Sequence, residues 1–414
     1  MREMKDSGIE WVGAIPQDWQ LSKIGSLYTQ RNEKVSDKDY QPLSVTMQGI
    51  LPQLATAAKT DDGDNRKLVR VGDFAINSHS DRRGSCGISP LDGSVSLINI
   101  ILTPRTAMHP GYYNWLFHTT LFADEFYKWG HGIVADLWTT RWQEMKSITV
   151  PVPEYAKQER IAAFLDAECA EIDAVLEKTR ASIEEYKKLK QAVITQAVTK
   201  GIRGDRPMKD SGIEWIGDIP AEWSVVPFSK FARVSANLVN PSDYQDYLQV
   251  SPENIEKDSG KLLPCKTVSE VGVESWNHFF HKGQILYSKI RPKLNKVCIA
   301  PFDGLCSADM YPIDTDNISK FVVYTILSND FNQQVAMITE NRVKMPKINQ
   351  KELSKIIVVL PANRMEQQEI VDYLDGECGK IDALIAKKQQ YLTEIENYKK
   401  SLIYEYVTGK KEVV

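Results

Sequence analysis

Residues 4–19 read MKDSGIEWVGAIPQDW and residues 208–223 read MKDSGIEWIGDIPAEW, identical at 12 of 16 positions at an offset of 204. Duplication at a long fixed offset marks a chain built from repeated structural units, so this stretch frames the rest of the sequence. A second match follows at an offset of 209: Leu165-Asp166, Glu168-Cys169 and Ile172-Asp173-Ala174 return as Leu374-Asp375, Glu377-Cys378 and Ile381-Asp382-Ala383. The unit is an opening motif, a globular part and a distal segment, used twice. Between the matched ends, residues 20–150 and 224–360 barely resemble each other. Two copies share a frame and differ in content.

The distal segments read as long helices, because Leu165, Ile172, Leu176 and Ile183 in the first and Leu374, Ile381, Ile385 and Leu392 in the second fall at heptad-like spacing. Pro151 and Pro153 precede the first segment and Pro361 the second, and Gly201 and Gly409 close them, as helix start and stop chemistry requires. A helix of about 40 residues is about 60 Å long. So long an apolar stripe is unfavourable in water, so the two helices are predicted to pack as an antiparallel coiled coil; two separately buried helices are the alternative. Antiparallel packing puts Cys169 and Cys378 toward opposite ends, out of disulfide range.

The expected organisation is a first variable domain with its opening motif over 1–150, a helix region over 151–203, a second variable domain over 204–360 and a second helix region over 361–414. Both variable domains read as α+β. Strand-like stretches lie at 67–76, 95–102, 284–289, 296–301 and 356–360, and helical ones at 112–129 and 320–339. Trp11, Trp19, Trp215 and Trp223 of the opening motifs are expected to dock each motif on its domain, with base stacking as the alternative role.

At 414 residues the chain has room for two or more cores; hydrophobic residues make 42% and charged residues 26% of it. No apolar run reaches the roughly 20 residues of a membrane helix, and the start, Met1-Arg2-Glu3, is too polar for a signal peptide, so a cytoplasmic protein is expected. The six cysteines form no Cys-x-x-Cys pair, which points to reduced thiols and no metal. Phosphate-cradling glycine loops, H-E-x-x-H, G-x-S-x-G and the Asn/Asp-Pro-Pro-Tyr motif are all missing, so neither catalysis nor a cofactor is expected.

Basic residues cluster where DNA phosphates could be met. Residues 282–296 hold Lys282, Lys289, Arg291, Lys293 and Lys296 and no acidic residue; the matching stretch of the first copy holds Arg82 and Arg83. Arg342 and Lys344, with Lys347, Lys351 and Lys355, precede the second distal helix, and Arg141 precedes the first. Any one of these could be an ordinary solvated charge. Together, at matching places in both copies, they point to nucleic acid, with lysine neutralising phosphate and arginine also able to read a guanine edge. The net charge of −4 fits this if the acidic residues lie away from the contact face.

The duplicated MKDSGIEWxGxIPxxW motif, the Gly-Asp-Phe turn at 72–74, the Gly-Gln-Ile-Leu-Tyr-Ser turn at 283–288, the Tyr-Ser-Lys-Ile-Arg-Pro run at 287–292, and the Ile-Asp-Ala of each helix together resemble the specificity subunits of type I restriction-modification enzymes. The resemblance covers nearly the whole chain. It implies an α+β fold with an internal pseudo-two-fold repeat, in which two target-recognition domains are separated by a pair of long antiparallel coiled-coil helices. It further implies a non-catalytic subunit without cofactor that reads an asymmetric bipartite site on double-stranded DNA. Two methyltransferase subunits would dock on the helices, and restriction and translocase subunits would join through the complex. By position in the recognition domains, Arg82, Arg83, Lys289, Arg291, Lys293 and Lys296 are the residues expected to meet DNA, and the basic clustering adds Arg141, Arg342 and Lys344. The helices that the resemblance makes the ruler and docking platform are those whose heptad positions are Leu165, Ile172, Leu176 and Ile183, and Leu374, Ile381, Ile385 and Leu392. A protein-interaction scaffold without a DNA role, and an enzyme with unrecognised motifs, remain as alternatives.

Overall fold

The computed structural model describes residues 3–55, 62–132, 138–342 and 345–413. The chain divides into two compact units, residues 1–180 with 390–414, and residues 181–389. Two long helices, Tyr155–Lys200 and Arg364–Val407, each give one half to each unit.

In the first unit, partners fall in number along the second helix as positions rise along the first. Phe164 packs on Tyr406 with ring centres 4.4 Å apart, Asp173 accepts from Lys399 at 2.6 Å, and Arg180 donates to Glu396 at 2.6 Å. In the second unit Lys190 donates to Asp382 at 2.7 Å and Arg203 to Glu369 at 2.6 Å. Both units therefore contain the predicted antiparallel pairing. Asp173–Lys399 and Asp382–Lys190 are one ion pair made twice, each partner displaced by the 209-residue offset. The apolar stripe is the seam: Leu165, Leu176, Ile183, Leu374 and Ile381 are buried, and Ile172, Ile385 and Leu392 half-buried.

The opening motif is a two-stranded hairpin in each copy, Met4–Asp6 with Ala14–Pro16 and Met208–Asp210 with Asp218–Pro220. Its repeated letters have local reasons. The Asp6 carboxylate accepts from Gly8 N–H at 3.0 Å and the Ser7 hydroxyl from Ile9 N–H at 3.1 Å; Asp210 and Ser211 repeat both bonds. Gly8, Gly13, Gly212 and Gly217 take left-handed conformations that a side chain would strain.

Each unit then carries two sheets of matching topology. In the first, strands run 86–88, 74–77, 99–104, 28–31 in one sheet and 93–95, 66–69, 34–35 in the other. In the second, 297–299, 285–288, 310–314, 233–234 repeat the first sheet. Strands 238–239, 277–280, 304–306 repeat the other, extended by 248–250, which lies parallel to 304–306. A single parallel bridge, Pro42 to Ser94, stands in the first unit where that extension lies in the second.

The segment 67–76, expected as one strand, is two, Arg66–Val69 and Phe74–Asn77. The chain turns through Gly72 at φ +85°, and the Asp73 carboxylate accepts from Arg70 N–H and from Arg31. Each expected domain helix is also two, Pro110–Phe117 with Thr120–Lys128 and Ser319–Leu327 with Asn329–Thr339. At the breaks the Thr119 and Ser328 hydroxyls accept from Phe122 N–H and Phe331 N–H, starting a new helix.

Three repeat-equivalent contacts fasten domain to helix. The amide oxygens of Gln158 and Gln367 accept from His109 N–H at 2.9 Å and Ile318 N–H at 3.0 Å, the residues that open the domain helices. Asp166 accepts from the Trp115 indole at 2.8 Å, and Asp375 from the Tyr324 hydroxyl at 2.6 Å. Buried Trp19 and Trp223 pack on the turns that end the two helices, where Gly409 and Gly201 leave room for the rings. Trp11 is buried against Phe122 with ring centres 5.9 Å apart, but its counterpart Trp215 is 49% exposed, so only three of the four tryptophans dock as expected. All six cysteines are free.

Candidate nucleic-acid interface

The basic clusters stand on loops that leave the first sheet of each unit. In the first unit the loop after Phe74–Asn77 runs through the single turn Ser80–Arg82. Backbone bonds hold it to a second loop, with Ser80 N–H donating to Trp138 C=O at 2.9 Å and His79 bridging Thr139. In the second unit the loop after Ile285–Ser288 is held the same way, with Arg291 N–H donating to Pro346 C=O at 2.8 Å and Ile290 bridging Lys347.

The side chains on these two loops are engaged differently. Arg83 is committed to Asp124 at 2.7 Å and lies over the Tyr127 ring; Arg82 lies 3.4 Å from Asp81. Both line a cleft of about 670 Å³ beneath the hairpin formed by Leu43–Thr46 and Gly49–Pro52. In the second unit Lys296 donates to Pro252 C=O at 2.6 Å, and Lys289 lies 5.1 Å from the centre of the Tyr311 ring. Arg291 and Lys293 are exposed and make no side-chain hydrogen bond or ion pair among the described residues. His278, in the sheet behind them, is pulled below its usual pKa by burial and then by Lys289, which keeps the ring neutral at physiological pH.

Two members of the third cluster are tied down within the fold. Arg342 donates to Glu352 at 2.5 Å and to the Lys347 carbonyl, and Lys347 meets Asp309 at 3.0 Å. Arg141 opens the helix Trp142–Met145, its N–H bonded to Glu144 at 3.0 Å, just as Asn349 opens Gln350–Leu353 through Glu352. Lys344 lies outside the described residues.

Two features escaped the sequence reading. The tip of the 43–52 hairpin carries Met47, 71% exposed, and in the sequence only the Met-Gln-Gly turn marks it. A cleft of about 810 Å³ in the second unit runs between the helix pair and the loop around Asp258, bordered by Lys187, Lys188, Lys257, Lys261 and Lys293. Its signal was the Lys-Lys-Leu-Lys run at 187–190, which the heptad reading absorbed into the helix. The residues expected to dock subunits lie wholly or partly in the seam, and Val175, Leu189, Leu384 and Tyr391 are among the exposed apolar side chains of the helices. Among the described residues no helix is long and apolar enough to cross a membrane.

The type I restriction modification DNA specificity domain family matches residues 230–397. The type I restriction enzyme EcoDI specificity subunit of Escherichia coli is 34% identical over 286 residues, a match spanning 64% of this chain and 63% of that subunit. A chain from a solved type I R-M system superposes with a TM-score of 0.72 at 13% identity, over 96% of this chain and 99% of the other, a likeness of fold. The type I restriction modification DNA specificity domain is thus matched by the second copy, and the fold is shared with a solved type I R-M chain over nearly the whole length.

Proposed function

We propose that this chain selects the DNA sequence on which a type I restriction-modification complex acts and carries no catalytic site of its own. Each unit reads one half of a bipartite target on double-stranded DNA. The observation that carries the reading is one frame used twice with different contact loops: the Gln158/Gln367 and Asp166/Asp375 fastenings repeat, whereas the loops at 79–85 and 289–296 do not. Equal fastening with unequal loops suits two half-sites that differ, hence an asymmetric target. Two methyltransferase subunits dock on the outward faces of the long helices, and restriction and translocase subunits join through them. The complex works beside the chromosome, in the cytoplasm.

The test is co-expression with the methyltransferase subunits, followed by sequencing of modified adenines in the host DNA. One asymmetric bipartite motif is expected, and exchanging residues 20–150 for another domain should switch one half only. Purified complex without salt-sensitive DNA binding would sink this reading and favour a protein scaffold.

A further inference from the structure

We infer that Arg291 reads a guanine edge in the half-site taken by the second unit, its guanidinium projected from a backbone locked in a left-handed conformation; this rests on the DNA-reading function proposed above.

Arg291 has φ +45° and ψ 52° and is followed by Pro292. A Cβ is unfavourable in that region, and the proline ring further disfavours helical conformations in the residue before it. Glycine or asparagine would sit there more easily. Such a conformation persists only where the surroundings over-determine it, and they do so here. Arg291 N–H donates to Pro346 C=O at 2.8 Å, Leu294 N–H to Arg291 C=O at 2.8 Å, and Ile348 N–H to Lys289 C=O at 2.9 Å. Buried Pro292 and Asn295 root the loop, the Asn295 amide donating to Leu327 C=O at 3.3 Å. Across from Arg291, Met345 precedes Pro346 and is left-handed as well, at φ +55°.

The first unit supplies the control. Ser80 occupies the same backbone place, donating to Trp138 C=O as Arg291 does to Pro346, and it needs no positive φ. The frame therefore does not impose the strain. The second unit holds a strained arginine where an unstrained residue suffices in the first, and among the described residues that arginine has no ion pair while the neighbouring Lys296 and Lys347 are engaged. A phosphate contact tolerates a mobile lysine, as Lys293 provides two residues on. A fixed, planar, five-donor fork fits a bidentate bond to guanine O6 and N7 in the major groove.

The experiment selects bound duplexes from a random library with the full chain and its methyltransferase subunits. It compares the wild type with Arg291→Lys, Arg291→Gly and Lys293→Ala. Arg291→Lys and Arg291→Gly should each lose about tenfold or more of the preference for G at one position of one half-site, leaving the other half intact. Arg291→Gly should melt no lower than the wild type, because it relieves the strain. Lys293→Ala should weaken all sequences alike and lower the salt slope by about one, with the motif unchanged. A motif retained in both Arg291 variants overturns the inference, as does a lower melting temperature for Arg291→Gly. A wild type that selects no motif overturns the DNA-reading function itself.

Discussion

The two units fasten to the helix pair by the same bonds and present different surfaces. Gln158 and Gln367, Asp166 and Asp375, Trp19 and Trp223 do equal work in both. The loops diverge: Arg83 is tied to Asp124 over the Tyr127 ring, whereas the Arg291 side chain has no hydrogen-bond or ion-pair partner among the described residues and stands on a strained backbone. Fastening depends on geometry that any domain of this fold must meet, so both copies retain it. Contact depends on what is contacted, so each copy keeps its own.

The largest expected effect comes from a place where the fastening itself differs. Trp11→Ala removes a buried ring packed on Phe122 and should cost about 3 kcal/mol in the first unit. Trp215→Ala removes a half-exposed ring and should cost under about 1 kcal/mol in the second. Hydrogen exchange at the amides of Pro110–Phe117 and Ser319–Leu327 reads each unit separately. Equal losses would mean that Trp215 is held more firmly than its exposure implies.

The frame was legible because its signals are local or periodic. An Asp-Ser-Gly turn, a heptad stripe and a terminal glycine report their geometry through neighbours in sequence. What was not legible depends on contacts far apart in sequence. The heptad stripe gave the seam but not the outward face, since residues fully used between two helices carry the strongest periodicity. Positive charge alone did not separate Arg291 from Lys296 or Arg342: the first has no side-chain partner among the described residues, the second is bonded to the Pro252 carbonyl 44 residues earlier, and the third is tied to Glu352. Nor does a lone Arg-Pro pair reveal a positive φ, because among the bonds that hold this conformation is one to Pro346, 55 residues later in the chain.

A middle-sized effect tests the equality of the fastening. Gln158→Ala strands His109 N–H and Pro153 C=O, and Gln367→Ala strands Ile318 N–H and the Asn317 amide oxygen. Both glutamines are buried, so each loss should cost about 1–2 kcal/mol, and by similar amounts. Urea unfolding of the two variants measures it. A difference beyond that range would mean the two domains are not held by the same bond.

The smallest effect distinguishes burial from geometry in the twice-made ion pair. Lys399 reaches both oxygens of Asp173 at 2.6 and 2.7 Å, and Lys190 both oxygens of Asp382 at 2.7 and 2.8 Å, so the direct contacts match. Their settings differ: the carboxylate is 59% exposed in the first pair and 33% in the second, where Lys261 also lies 3.8 Å from Asp382. Double-mutant cycles to alanine should give couplings under about 1 kcal/mol for both, the Lys190–Asp382 value being the larger and fading less in salt, because less water surrounds it. Equal couplings would mean that contact distance alone sets the energy. A larger coupling for Lys399–Asp173 would mean that Lys261, by sharing Asp382, weakens the bond it adjoins.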